Sequence, residues 1–160
     1  MRPVETDVTA EIRNLLPGAD FADAFSFVVD DPALDAVTAA HRAIDRPPPW
    51  VLTLMALRDF LVRPFGLLTR HDQTLVRRER IGAFPVLSQT AERVVMGLDD
   101  RHLDFRLSVD VRRLDERRRE VVATTLVKTH NRLGRSYLAA IMPFHRRIVP
   151  GLMAQIARSA

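Results

Sequence analysis

Polar and apolar side chains alternate without a fault through residues 102–110, HLDFRLSVD. Successive side chains of a β-strand point to opposite faces, so this pattern predicts an antiparallel strand with one face on the core. Similar period-two patterns occupy the second half of the chain, at 80–87, 92–98, 101–113 and 119–131. An antiparallel sheet is therefore predicted, with a turn at 114–118 before its last strand.

The last two of these segments also predict their own register. If they form a hairpin that turns about Glu116, the numbers of opposite residues sum to 232. Asp104 then faces Lys128 in a favourable charge pair on one side of the sheet. The other pairs are Phe105 with Val127, Ser108 with Thr124, Val111 with Val121 and Arg112 with Glu120. A slip by one residue would turn polar side chains toward the core, so we expect this register to be held.

The first half of the chain predicts one further strand and two helices. Residues 19–29 carry apolar side chains largely at even spacing, which indicates a strand. Two acidic residues and a proline follow, a signal for a helix over 32–44. Residues 49–62 predict a second helix that is apolar most of the way round, which favours deep burial over a partner or membrane-surface role. Pro64 and Gly66 are expected to end it.

A helical period returns at 133–158, where seven apolar side chains form one stripe. Pro143 removes a backbone hydrogen bond inside this helix, so we expect a kink there. Pro150 and Gly151 are expected to bend or interrupt it again. We predict that this helix is the most buried one, so that Ile141→Ala costs about 2–5 kcal/mol.

Composition excludes several classes of protein. The chain has 160 residues and no cysteine, which rules out disulfides, thiolate catalysis and cysteine-ligated metals. The N-terminus lacks a signal-peptide core, and no apolar run approaches the roughly 20 residues that span a bilayer. We therefore expect a cytoplasmic protein without a transmembrane segment. The length suits one domain, at 19–160, after a loosely held lead-in at 1–18.

The positive charge of the chain does not point to a specific nucleic-acid partner. The net charge is +4, and residues 121–160 contain no acidic side chain. Aromatic residues are only 6%, however, and no helix-turn-helix or RNA-binding signature occurs. Weak, non-specific nucleic-acid binding is the most that we expect. The absence of a GxSxG run also sets aside a serine hydrolase.

The order of elements is strand, two helices, several antiparallel strands and a long helix, which is an α+β arrangement. This order resembles the START-like (SRPBCC) superfamily with the helix-grip fold. In that fold a curved antiparallel sheet wraps a long C-terminal helix, and two helices follow the first strand. The resemblance implies the helix-grip fold for this chain from residue 19 onward.

Three runs carry a more specific resemblance: RIGAFPVL (80–87), LDDRHLDFRLSV (98–109) and THNRLGRSYLAAIMPFHRRIV (129–149). Together they resemble an uncharacterised bacterial family of unknown function that is grouped near the START-like superfamily. Some members are similar to the C-terminal part of proteins with a nucleotide-sugar-epimerase-like NAD-binding domain. The resemblance implies a ligand cavity but brings no catalytic residues. The chain has no glycine-rich dinucleotide fingerprint of its own, and no cofactor is expected.

The predicted strand at 101–113 places His102, Asp104, Arg106 and Ser108 on one face. One interpretation is a polar cluster that lines a cavity, with His102 and Asp104 available for proton transfer or for anchoring a ligand. The other is the solvent face of a half-buried sheet, which the alternation itself favours. The register also sets His102 opposite His130, and we hypothesise a pH-sensitive patch there.

Further candidates lie where the last strand meets the last helix. His130 and Asn131 close the strand, and Arg132 and Arg135 at the start of the helix are placed to hold an anion at its N-terminus, although Asn131 as an ordinary N-cap is the favoured alternative. His145 lies at the edge of the apolar stripe, where a histidine is more often a core or boundary group than a functional one. No compact metal-ligand motif occurs, so no metal site is expected.

Three functions stay open from the sequence. The first is binding of a small hydrophobic or amphipathic molecule between sheet and last helix. Its walls would come from Phe84, Phe105, Leu107, Val127, Tyr137 and Ile141. The second is an enzyme that uses His102, Asp104 or His130 as acid or base. The third is an interaction module that docks on a partner protein, such as an NAD-dependent oxidoreductase, through the helix at 49–62. A homodimer is the alternative assembly.

Overall fold

The computed structural model describes residues 2–63 and 79–158, and this part of the chain forms an α+β fold. Its strands are β1 (Val4–Thr6), β2 (Phe21–Val29), β3 (Arg80–Ile81), β4 (Phe84–Gln89), β5 (Arg93–Asp99), β6 (Leu103–Arg113) and β7 (Arg119–Thr129). Its helices are α1 (Ala10–Arg13), α2 (Ala36–Ile44), α3 (Pro49–Val62) and α4 (Arg132–Arg158). The expected end of α3 at Pro64 and Gly66 lies outside the described residues.

The strands form one curved, antiparallel sheet in the order β1-β2-β7-β6-β5-β4-β3. The predicted hairpin register is confirmed: Asp104 pairs with Lys128, Phe105 with Val127 and Arg112 with Glu120. The turn between β6 and β7 is closed by Asp115, whose Oδ1 accepts hydrogen bonds from the backbone N–H groups of Arg117 and Arg118. A long C-terminal helix over such a sheet is consistent with the helix-grip arrangement.

The segment 80–87, predicted as one strand, is two short strands joined by a tight turn. Arg80 pairs with Pro85 and Ile81 with Phe84, so the chain reverses at once. Gly82 has a φ of 57°. Glycine adopts this left-handed conformation without a steric penalty, which is why the reversal occurs at this position.

The concave face of the sheet carries the main core. Phe25 and Phe27 of β2 and Val109 of β6 pack there with α2 and the C-terminal part of α4. The side chains that α2 buries are all alanines, at 36, 39, 40 and 43. These small side chains bring α2 close to the sheet, and they make it the helix with the largest buried share.

The segment expected to be a loose lead-in is part of the fold. β1 pairs with β2 and extends the sheet by one strand. α1 lies on the convex face, where Ile12 and Leu16 are buried with Leu126 of β7. The sequence gives little sign of this packing because α1 has only four residues, too few for a period to be read.

The start of α2 also differs from the prediction. The helix begins at Ala36, and Asp35 is its N-cap, accepting a hydrogen bond at Oδ1 from the N–H of Thr38 at 2.7 Å. Asp31, which was expected to lead into the helix, instead forms an ion pair with Arg42 at 2.7 Å. Asp35, four residues after Asp31, caps the helix.

The predicted span of α3 is confirmed, but the expected deep burial is wrong. Val51 is fully buried, whereas Trp50 is 45% exposed and Phe60 is 74% exposed. A helix that is apolar all round presents no preferred face, so its pattern cannot say which side meets the protein. No helix within residues 2–63 and 79–158 is both long and apolar enough to cross a membrane.

α4 continues without interruption through Pro143 and Pro150, so the expected interruption at Pro150 and Gly151 is wrong, while a bend there stays a prediction. Gly151 has a packing role there: a Cβ at this position would lie 2.5 Å from Cζ2 of Trp50. The prediction that α4 is the most buried helix is wrong, since only Gly134, Met153 and Ile156 of its 27 residues are buried. A kink at Pro143 stays a prediction.

Candidate ligand-binding cavity

A cavity of about 230 Å³ lies between the concave face of the sheet and α4. Met153 and Ile156, near the C-terminal end of α4, are buried in the core, but Tyr137 and Ile141 are only half-buried. One end of the helix therefore packs tightly on the sheet while the other end faces the cavity. Contact with the packed core and contact with an apolar cavity both favour apolar side chains. The apolar stripe of α4 therefore has the same spacing at both ends of the helix.

The cavity wall is mostly apolar and comes from five parts of the fold. The sheet and its turns supply Ala83, Phe84, Leu98, Asp100, Leu103, Phe105, Leu107, Thr125 and Val127; α4 supplies Tyr137, Leu138, Ile141, Met142, His145, Ile148, Val149 and Leu152; Ile44, Pro47 and Met55 complete it from α2, the following loop and α3. The six side chains predicted as walls are all among them. Phe84 and Phe105 meet edge to face, with ring centroids 5.8 Å apart.

A buried polar pair lies at the edge of this apolar wall. Nε2 of His145, on α4, is 3.0 Å from both carboxylate oxygens of Asp23, on β2. Asp23 is only 8% exposed, and its strand partner is Thr125, which also lines the cavity. The rings of His145 and Phe21 meet edge to face, with the two planes at 90°. The pair therefore joins helix and sheet beside the cavity.

The sequence analysis did not single out Asp23. The signal was present, because the alternation that places Phe25 and Phe27 on the core face places Asp23 there as well. An acidic side chain at an inward position of a strand is costly unless it has a partner. The partner, His145, is 122 residues further along the chain, so only the fold brings the two together.

The geometry decides which nitrogen of His145 carries a proton. An ionised carboxylate only accepts hydrogen bonds, so Nε2 must be the donor to Asp23. Nδ1 makes no hydrogen bond with any residue that the structure describes. In the neutral ring Nδ1 is an acceptor, and in the charged ring it is a second donor. Such a ring can hold a polar group of a ligand or exchange a proton with it.

The other predicted polar residues do not line the cavity. On the convex face, Nε2 of His130 lies 3.0 Å from Asp104 and Arg106 forms an ion pair with Asp99 at 2.6 Å. His102 lies within 3.0 Å of both the Arg101 Nε and the Asn131 Nδ2 donors. A neutral imidazole accepts at one nitrogen only, so one of these two contacts is a hydrogen bond at a time. The hypothesised pH-sensitive patch stays a prediction.

The N-terminus of α4 is occupied by the protein itself. Oδ1 of Asn131 accepts a hydrogen bond from the N–H of Gly134 at 2.9 Å, which is the capping geometry. A Cβ on Gly134 would collide with the carbonyl oxygen of His102, so the glycine permits close contact between helix and sheet. Arg135 is exposed to solvent and does not line the cavity.

Part of the polar row on β6 is buried beneath α1. Ser108 donates a hydrogen bond to Asp110 at 2.5 Å, and Asp110 pairs with Arg93 of β5 at 2.6 Å. Arg93 also reaches Glu11 of α1 at 2.5 Å, and this hydrogen bond lowers the pKa of Glu11 below its ordinary value. The network ties α1 to the sheet. In the described ranges, no group of three or more acidic or histidine side chains could hold a metal ion.

Fold and cavity together define an α+β domain in which an antiparallel sheet and a long C-terminal helix enclose an apolar cavity with one buried histidine–carboxylate pair. The chain belongs to a family of proteins of unknown function, DUF2867, whose model matches residues 15–152. None of the curated proteins compared with the chain matches it.

Among solved structures, the chain is similar to a conserved protein from Geobacillus kaustophilus. The identity is 5% and the TM-score is 0.43, over 87% of this chain and 94% of that one. A likeness this distant carries no argument about function. Neither description mentions the START-like superfamily.

Proposed function

We propose that this chain binds a small apolar or amphipathic molecule in the cavity between the sheet and α4. The observation that carries the proposal is the cavity itself, about 230 Å³ with a mostly apolar wall and the His145–Asp23 pair at its edge. Ligand sites commonly combine apolar walls with a few placed polar groups, in volumes of roughly 300–1,000 Å³ for drug-sized molecules. The ligand should therefore be smaller than that class.

Packing supports the same proposal. Protein interiors are normally filled to the density of organic crystals, so a void of this size has a cost in lost contacts. Tyr137, Ile141 and Ile148 line the cavity and are only half-buried. A molecule that fills the cavity would restore these contacts.

Native mass spectrometry of gently purified protein tests the proposal, because it reports bound mass and stoichiometry together. We expect an additional mass on the wild type that is absent from Ile141→Trp, in which the indole fills the cavity. Ala140→Trp is the matched control, since Ala140 is exposed on the same helix. Equal bound mass in both variants, or none on any protein and no binding of added apolar molecules, would overturn the proposal.

A second candidate is an enzyme of the same fold, with His145 as acid or base and Asp23 as the residue that positions its ring. The observation that favours it is a histidine at a cavity wall, hydrogen-bonded to a buried carboxylate, an arrangement used in general acid–base catalysis. This pair replaces His102, Asp104 and His130, which lie outside the cavity, in the catalytic role.

The two candidates differ in what the protein retains. His145→Gln keeps a polar side chain of similar reach but removes the imidazole that would act as acid or base. For a binding protein, the wild type and this variant should retain a molecule of the same mass. For an enzyme, the variant should retain a substrate whose mass differs from that of the molecule found on the wild type. Identical masses would rule out the enzyme as a candidate function.

A further inference from the structure

The charges around the cavity restrict what it can hold. No lysine or arginine is among the lining residues that the structure describes. Asp100 belongs to the wall, and Asp23 lies directly behind His145. A carboxylate ligand would therefore enter an apolar space without a cationic partner, next to two acidic side chains. Such a transfer is strongly unfavourable, because an ion that leaves water needs a compensating charge or hydrogen bonds.

A cationic ligand also lacks a suitable anionic partner in the cavity wall beside His145. The carboxylate of Asp23 is already engaged by His145 through both of its oxygens. Asp100 accepts a hydrogen bond from the backbone N–H of Arg101, which engages one of its carboxylate oxygens. A neutral ligand pays the smallest cost of entry.

The His145 ring is a polar group of the wall that can still bind a ligand. With Nε2 committed to Asp23, the neutral ring offers Nδ1 as a hydrogen-bond acceptor. Asp23 fixes the orientation and the tautomer of the ring from behind, as a carboxylate does for many functional histidines. The complementary ligand group is a neutral donor on an otherwise apolar molecule, and a hydroxyl group is the simplest one.

We infer that the cavity selects a neutral apolar alcohol or phenol, whose hydroxyl group donates a hydrogen bond to His145, and that it excludes carboxylates of the same shape. This selectivity rests on the proposed function, since it names the ligand class of the same cavity. The structure that creates it is the His145–Asp23 pair in an apolar wall without lysine or arginine among the described residues.

Isothermal titration calorimetry with three probes of one shape tests the inference: 2-naphthol, naphthalene and 2-naphthoate. At about pH 7.5 the phenol is neutral and the acid is ionised. We expect 2-naphthol to bind roughly three- to tenfold more tightly than naphthalene, the gain of one hydrogen bond. Binding of 2-naphthoate should be more than about tenfold weaker than that of 2-naphthol.

The double variant Asp23→Leu, His145→Phe assigns the preference to the pair. It keeps an aromatic ring at position 145 and leaves no buried carboxylate without a partner, so the fold should tolerate it. In this variant 2-naphthol and naphthalene should bind equally. If the preference for 2-naphthol persists there, the hydroxyl group is held elsewhere and the assignment to His145 is wrong.

The remaining outcomes separate the inference from the function beneath it. If none of the three probes binds the wild type, the proposed function fails together with the inference. If naphthalene binds and 2-naphthol binds no better, or if 2-naphthoate binds best, the cavity is a ligand site but this selectivity is refuted. The wild-type comparison decides both points even if the double variant does not fold.

Discussion

At the scale of single residues, His145 and Asp23 make a contact that is mostly withdrawn from water. The side chains are 15% and 7% exposed, respectively. A buried carboxylate without a partner is costly, whereas a buried histidine can remain neutral at little cost. The two members of the pair therefore contribute unequally when one of them is lost.

We predict that His145→Ala destabilises the protein more than Asp23→Ala does. The first variant strands a buried carboxylate and should cost about 3–5 kcal/mol. The second leaves only an unpaired imidazole donor, at about 1–3 kcal/mol. Urea unfolding of the two variants beside the wild type measures the difference, and the reverse order would show that Asp23 is better solvated than its burial implies.

A second pair of residues tests how α4 meets its neighbours. A methyl group on Gly134 would meet backbone, the His102 carbonyl, whereas one on Gly151 would meet the ring of Trp50, which is partly exposed and can move. We predict that Gly134→Ala costs more than Gly151→Ala, with about 1–3 kcal/mol for the overpacked site. Part of the cost is offset in both variants, because alanine favours the helix.

Thermal unfolding compares the two glycine variants, and fluorescence separates their causes. Trp50 is the single tryptophan of the chain, so its emission reports directly on the α3–α4 contact. Gly151→Ala should shift that emission and Gly134→Ala should leave it unchanged. Equal stability loss with no spectral change would contradict the packing of Trp50 on Gly151.

At the scale of elements, the short helix α1 is held to the sheet through Arg93. Its hydrogen bond to Glu11 lowers the pKa of that carboxyl group. A lowered carboxyl pKa stabilises the folded state above the ordinary glutamate value of about 4.3, and this contribution is lost as the pH falls through the lowered value. Because Glu11 is exposed, the effect should be local to α1 and β1.

We predict that amide exchange in α1 and β1, corrected for intrinsic rates, accelerates between about pH 5 and pH 3 relative to exchange in β6 and β7. In Glu11→Gln the exchange at about pH 5 should already match that of the wild type at the lower pH. A wild-type segment whose protection does not change over this range would show that Ile12 and Leu16 hold it alone.

The elements also differ in how far their sequence could predict them. The β6–β7 register was predictable because Phe105 and Asp104 must face opposite sides, and a slip would exchange them. The exposure of α3 was not, since Trp50, Leu52 and Phe60 point in several directions and no polar side marks the solvent. The turn at Gly82 was missed because a two-residue strand contains no period.

At the scale of the whole molecule, the size of the cavity is the feature that the sequence predicts least. The stripe of apolar residues on α4 predicts that this side of the helix faces an apolar environment. The same stripe is expected whether the helix packs directly on the sheet or lines a cavity. The wall residues Phe105, Tyr137 and Ile141 were predictable as a set, but the space between them depends on the distance between two elements. The contact between His145 and Asp23 depends on this distance as well.

This placement changes the expected effect of truncating α4. Ile141 lines the cavity and is half-buried, so Ile141→Ala should cost about 1 kcal/mol, less than for a core residue. Met153 is 2% exposed and lies in the core, so Met153→Ala should lower the free energy of unfolding by about 2–5 kcal/mol. Chemical denaturation of both variants measures this contrast, and equal losses would mean that the helix packs uniformly along its length.

The pairing of β1 with β2 has a consequence for solubility. The two edge strands of the sheet are very short, with three residues in β1 and two in β3. They therefore offer few free backbone groups to another chain. β2 has nine residues, among them Phe21, Phe25 and Phe27. Removing residues 1–18 would turn β2 into a long edge strand that is rich in aromatic residues and no longer covered by β1. Intermolecular strand addition, and with it aggregation, would then compete with folding.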